Sequence, residues 1–164
     1  MTQYYDTFDT PFGVFLVALN AAGEVIATAF GERERLQTGL DTGELQRSAD
    51  RVRQAREEIL AYFDEERRSF TVKLSPQGTA FQQEVWAALL RIPYGETRSY
   101  GQLAAALGRP GSARAIGRAV ATNPICLLIP CHRVIGSDGS LTGFAYGTEI
   151  KRRLLDLEAG QKGR

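Results

Sequence analysis

The sequence predicts an α+β protein. A small N-terminal antiparallel-sheet domain is followed by a mainly helical C-terminal domain with a helix-turn-helix and a candidate active-site cysteine. Three observations carry this expectation. Strand-forming runs dominate the first thirty residues, whereas apolar residues beyond Gly78 recur at three- and four-residue spacing. Between these regions lies the turn-rich break Ser75-Pro76-Gln77-Gly78. The charge balance changes sign at the same place: residues 1–75 hold 9 Lys/Arg against 13 Asp/Glu, and residues 76–164 hold 11 against 6. The expected domains are therefore 1–75 and 76–164, and only the second is suited to approach a polyanion.

The elements follow in order. Tyr4–Thr10 and Phe12–Leu19 are rich in aromatic and branched residues and read as strands. Asn20-Ala21-Ala22-Gly23-Glu24 is a turn, so Val25–Phe30 returns as the second arm of a hairpin. Residues 31–43 suit a short helix or a loop. Leu45, Ala49, Val52, Ala55, Ile59 and Phe63 predict a helix over 44–63, with Arg51, Arg53, Arg56, Glu57 and Glu58 on its wet side. Ser69–Leu74 alternates like a strand.

Past the break, Thr79 is placed to cap a helix over 80–91, with Phe81, Val85, Trp86, Leu89 and Leu90 on its buried side. Ser99 is placed to cap a short helix through Leu107. Gly108-Arg109-Pro110-Gly111 is a tight connection, and Ser112 is placed to cap a second short helix over 113–122. Two such helices form a helix-turn-helix candidate. Ala113, Ala115, Gly117 and Ala119 keep the second helix thin enough for its backbone to approach a groove. Arg114 and Arg118, four apart, share a face that can meet phosphates. The glycine-rich stretch 136–147 reads as a loop. Thr148 is placed to cap a last helix to about Ala159, with Lys151, Arg152 and Arg153 toward water.

The chemistry gathers in Asn123-Pro124-Ile125-Cys126-Leu127-Leu128-Ile129-Pro130-Cys131-His132-Arg133-Val134-Ile135, which puts a cysteine beside the only histidine of the chain. A thiol becomes a nucleophile when a base or a positive environment favours its thiolate. His132 can supply the base. A carboxylate on the far ring nitrogen would fix its tautomer, and Glu158 is the candidate. Such an arrangement suits acyl transfer or attack on an alkyl carbon, and the residues by themselves leave both open, along with a core cysteine of no function. Two thiols and one histidine fall short of a zinc ligand set, so no metal is expected. The apolar run 125–129 is far below the roughly 20 residues of a membrane span. No export signal is visible, and the expectation is a cytoplasmic protein with reduced thiols.

Several motifs resemble, in order and spacing, the methylated-DNA–protein-cysteine methyltransferases, which repair 6-O-alkylguanine. They are Gly78-Thr79-Ala80-Phe81-Gln82, Ile92-Pro93-Tyr94-Gly95-Glu96-Thr97, Ser99-Tyr100, Arg114-Ala115-Ile116-Gly117, Asn123-Pro124 and Ile129-Pro130-Cys131-His132-Arg133-Val134. The first half resembles the family's ribonuclease-H-like sheet domain in size and type. The resemblance implies that Cys131 accepts the alkyl group, once and irreversibly. His132 would deprotonate it through a water, Glu158 would orient the histidine, and Asn123 would hold the turn. Tyr100 would assist protonation of the departing base. Arg114 would fill the vacated stack, on a surface that also includes Ser99, Ala113, Ala115, Gly117 and Arg118. Pro124 and the loop from Ser137 to Phe144 would shape the pocket. Phe144 stands where many members carry tyrosine. The implied partner is double-stranded DNA containing 6-O-alkylguanine, with 4-O-methylthymine a second candidate, acted on by a monomer without a cofactor. The alternatives are a lesion-binding or regulatory DNA-binding protein without transfer, and a cysteine hydrolase.

Overall fold

The structure is a computed structural model and describes residues 2–32, 45–141 and 143–160. Its contacts divide the chain into two compact units, Met1–Gln77 with Pro124–Leu128, and Gly78–Asn123 with Ile129–Arg164. The break falls two residues beyond the expected one. The segment 124–128, expected in the second domain, groups with the first instead.

The first unit is built on a four-stranded sheet in the order β3-β2-β1-β4. Strands β1 (Gln3–Thr10), β2 (Gly13–Leu19) and β3 (Val25–Phe30) form an antiparallel meander. Phe15–Leu19 and Val25–Phe30 are buried throughout, which is why both runs are nearly continuous in apolar residues. The open edge of β3 is covered. Val25 N donates to the Lys73 carbonyl, Ser75 N to the Val25 carbonyl, and Thr28 N to the Pro124 carbonyl. Thr28 Oγ1 donates to the Cys126 carbonyl at 2.8 Å. A paired edge does not recruit foreign strands.

Two expectations change here. The helix expected over 44–63 is α1, Arg53–Phe63, and Leu45–Arg47 is a short strand, β4, parallel to β1. The cause is tertiary. Arg47 Nη1 donates to Asp6 Oδ1 at 2.7 Å, and its guanidinium lies 4.9 Å from the centre of the Tyr5 ring, so pairing with β1 overrides the helical spacing. Glu44 and residues 33–43 lie outside the described residues. The strand expected over 69–74 is not regular either, with only Leu74 bridged to Val25. Its amides are taken by a side chain: the Glu58 carboxylate accepts from Thr71 N at 2.8 Å and Val72 N at 3.3 Å. Glu58, expected on the wet side of α1, is therefore buried.

The second unit is helical. Helix α2 (Ala80–Leu90) starts with a reciprocal cap in which Gln82 N donates to Thr79 Oγ1 and Thr79 N donates to Gln82 Oε1, worth about 1 kcal/mol. Trp86 is buried, and its Nε1 donates to the Ala119 carbonyl at 2.8 Å. Leu90, expected on the buried side, is 50% exposed. A two-residue strand, β5 (Arg98–Ser99), pairs with β6 (Val134–Ile135). It leads into α3 (Tyr100–Ala106), which Ser99 and Gln102 cap reciprocally. After a turn with Gly108 and Gly111 at positive φ comes α4 (Ala113–Ala121), whose Ile116, Ala119 and Val120 face inward. Helix α5 (Thr148–Glu158) closes the unit. Ser112 and Thr148 do not act as the expected caps: Ser112 makes no side-chain cap bond, and the position before α5 belongs to Gly147. No helix among the described residues is long and apolar enough to cross a membrane.

Candidate active site

Two tight turns deliver Cys131. Leu128 N donates to the Cys126 carbonyl at 2.9 Å around Leu127, whose φ of +74° makes this a γ-turn of the strained hand. Cys131 N donates to the Ile129 carbonyl at 2.7 Å around Pro130, at φ −79° and ψ 66°, an inverse γ-turn that the proline ring presets. A single 3₁₀ turn, Cys131–Arg133, follows. Asn123 Nδ2 donates to the Ile129 carbonyl at 2.9 Å, tying the residue where the chain leaves the second unit to the one where it returns.

His132 is fully buried, and its Nε2 lies 2.8 Å from Glu158 Oε2. Arg133 completes the cluster. Its Nε donates to Glu158 Oε1 at 2.7 Å, its Nη2 to Oε2 at 3.0 Å, and its Nη1 to the Ile92 carbonyl at 2.8 Å. Burial works to raise the Glu158 carboxyl, yet the hydrogen bonds and charges of His132 and Arg133 hold it well below the usual carboxylate range. Glu158 is thus a fixed anion. It accepts Nε2–H, which leaves His132 Nδ1 as the basic atom of the ring. Nδ1 is buried and has no protein hydrogen-bond partner among the described residues.

Burial also dominates Cys131, pushing its thiol up. A hydrogen bond with Asn123, the charge of Lys151 and the amides of Cys131 and His132 pull it down without cancelling that rise. The resting group is a thiol that needs a base. Lys151, expected toward water, is instead 1% exposed. Burial lowers its pKa, and the negative charge of a Cys131 thiolate works against that fall. Tyr100 is half-buried, and its phenol is raised by burial and by the Cys131 charge. Asn123, Lys151 and Tyr100 are therefore coupled to Cys131, while His132, Arg133 and Glu158 form a buried hydrogen-bonded cluster that begins at the next residue.

The other candidates lie elsewhere. Arg114 and Arg118 are exposed on α4, and neither makes an ion pair among the described residues. Ala113, Ala115 and Gly117 are partly exposed on the same helix. The Ser99 hydroxyl is engaged as a helix cap. Pro124 belongs to the first unit. Ser137 is exposed in the loop, and the Phe144 ring stands edge-on to Tyr146 at 5.7 Å. Among the described residues, no group of three His, Cys, Asp or Glu side chains stands where it could hold a metal ion.

Sequence reasoning missed Lys151 and Arg133. A signal existed for each. Lys151, Leu154 and Glu158 are spaced three and four apart and share one face of α5, the buried one. Arg133 sits inside an apolar run, where an arginine needs a carboxylate.

Comparison with known proteins identifies the family. The family described as "6-O-methylguanine DNA methyltransferase, DNA binding domain" matches residues 80–160. The methylated-DNA–protein-cysteine methyltransferase of Methanosarcina barkeri is 45% identical over 156 residues, covering 95% of this chain and 97% of that protein. The crystal structure of the Mycobacterium tuberculosis O6-methylguanine methyltransferase is similar at a TM-score of 0.87 and 41% identity, over 98% of this chain and 94% of that one. The crystal structure of Mycobacterium tuberculosis OGT in complex with DNA is similar at a TM-score of 0.87 and 40% identity, over 96% of this chain and 94% of that one. With this identity over nearly the whole length of both proteins, the chain belongs to the methylated-DNA–protein-cysteine methyltransferase family.

Proposed function

We propose that this protein repairs DNA by moving the alkyl group of 6-O-alkylguanine onto Cys131. The observation that carries the reading is the buried hydrogen bond of 2.8 Å between Glu158 and His132, the residue that follows Cys131. It fixes the tautomer that makes Nδ1 a base. The thiol proton passes to Nδ1 through a water, and the buried Lys151 charge favours the thiolate as it forms. Sulfur attacks the alkyl carbon, the S–C bond forms, and the C–O bond breaks with its electron pair left on guanine. Tyr100 donates to the departing base, and the proton released at sulfur restores the balance. The product is a thioether, which does not revert under mild conditions, so each molecule acts once.

A base inside a duplex cannot reach a buried thiol, so the nucleotide must be flipped out. The face of α4 bearing Arg114 and Arg118 is the surface for that task, with Arg114 in the gap left behind. The second unit carries the excess of basic residues that phosphate contact needs.

The test is intact mass after mixing the protein with duplex DNA carrying one 6-O-methylguanine, followed by peptide mapping. The expected outcome is one added methyl on Cys131, saturating at one per protein, with Cys131→Ser binding the lesion and gaining no mass. Methyl transfer by the serine variant, or a methyl on another residue, would overturn the assignment.

A further inference from the structure

The loop after Cys131 comes unusually close to one atom. A Cβ built on Gly143 would lie 2.8 Å from the Tyr100 hydroxyl oxygen and 4.0 Å from the ring carbon that bears it. Real Cβ atoms do not sit that near an oxygen. The loop backbone therefore stands against the phenol hydroxyl only because residue 143 has no side chain. Gly143 also has a φ of +91°, in the region that disfavours any other residue. A second glycine stands beside the ring carbons. A Cβ on Gly117 of α4 would meet Tyr100 Cδ1 and Cε1 at 3.7 Å, which is ordinary contact, so space of about one methyl group lies beside the ring there.

We infer that Gly143 is a positioning residue for Tyr100: its bare backbone sets where the phenol hydroxyl stands. This rests on the proposed role of Tyr100 as the donor to the departing base. The pocket loop approaches the hydroxyl, and the helix offered to DNA approaches the ring carbons. A side chain at 143 collides with the hydroxyl, and the ring yields toward Gly117. The hydroxyl then leaves the point from which it can reach a base.

The geometry supplies its own control. The collision is with oxygen, and removing the oxygen removes the collision. Backbone strain at 143 is the same with either ring. A second control is Gly147→Ala, which carries comparable strain at φ +98° but has nothing within 4 Å.

The experiment measures single-turnover methyl transfer from 6-O-methylguanine duplex for Gly143→Ala, Tyr100→Phe, the double variant and Gly147→Ala. Far-ultraviolet circular dichroism confirms folding of each. Gly143→Ala is expected to slow transfer toward the Tyr100→Phe rate, by as much as about 100-fold, the scale of a displaced reacting group. In the Tyr100→Phe background the same change is expected to cost no more than Gly147→Ala costs alone. Equal slowing in both backgrounds, or no slowing with tyrosine present, overturns the inference. A second readout needs no DNA. The Tyr100 phenol, followed by ultraviolet difference titration, is expected to ionise at lower pH in Gly143→Ala as the ring turns toward water, and an unmoved titration also overturns the inference. Failure of wild-type transfer would instead count against the function proposed for Cys131, while the titration would still report where Tyr100 stands.

Discussion

Replacing Glu158 with glutamine tests the buried cluster most directly. Glu158 Oε2 accepts from His132 Nε2 at 2.8 Å and from Arg133 Nη2 at 3.0 Å, while Oε1 accepts from Arg133 Nε at 2.7 Å. Both oxygens face an arginine N–H. Glutamine puts an NH₂ group at one of the two positions, so neither orientation avoids a donor facing a donor. The guanidinium stays buried with a neutral amide oxygen and the Ile92 carbonyl as its partners, and no counter-charge. Removing one side of a buried ion pair costs about 3 to 5 kcal/mol. In a chain of this size that is a fall in Tm on the order of 10 °C. The pH dependence has a definite sign. Glu158 is held below its unfolded value, so its contribution is fully present above the ordinary carboxylate range and is lost as pH falls through the lower folded value. Calorimetry of wild type and Glu158→Gln should therefore show a wide Tm gap at pH 7 that narrows in acid. Methyl transfer should also slow, on the order of 100-fold, because the imidazole loses the partner that fixes its basic nitrogen. A Tm within about 2 °C of wild type at pH 7 would refute the reasoning. So would a gap that widens in acid.

Two further perturbations probe the neighbours. Lys151→Met removes a charge that favours the Cys131 thiolate and keeps an unbranched side chain in its place, so the rise of transfer rate with pH should move to higher pH; an unmoved profile would show that the charge is not felt at sulfur. Gly78→Ala places a Cβ 2.5 Å from Trp86 Cη2 and 2.8 Å from Gln82 Oε1, so it should destabilise the protein by about 1 to 3 kcal/mol in urea unfolding, and an unchanged midpoint would mean that the start of α2 yields freely.

What could be read from the sequence was what short-range physics determines. The hairpin over β2 and β3 followed from strand composition and a turn, and α2 from Thr79 and its apolar spacing. The boundary at Ser75–Gly78 lay where turn residues and charge coincided. What could not be read was decided by distant partners. Leu45–Arg47 keeps a helical spacing but pairs with β1, forty residues away. Thr71 and Val72 alternate like a strand but give their amides to Glu58. Within the site, Cys131, His132 and Glu158 stood out by residue type. Lys151 did not, because a helical lysine followed by two arginines ordinarily faces water. Glu158 showed itself through a conflict, a carboxylate at the end of a helix where the dipole disfavours it. His132 and Arg133 resolve that conflict by bonding the carboxylate, whereas Lys151 charges the space around the thiol.

The five residues Pro124–Leu128 belong to a unit whose remainder ends at Gln77. A ribosome releases them only after the whole stretch Gly78–Asn123. At about 5 to 20 residues per second this is a delay of a few seconds. Until then β3 lacks the hydrogen bonds that Thr28 makes to Pro124 and Cys126. A nascent or truncated chain ending before residue 124 therefore carries an incompletely covered sheet edge, the kind of template on which strands from other chains assemble. No cut at a single peptide bond yields both units whole. A fragment meant to isolate the first would have to carry 124–128 as a graft, and one meant to isolate the second would have to bridge Asn123 to Ile129 some other way.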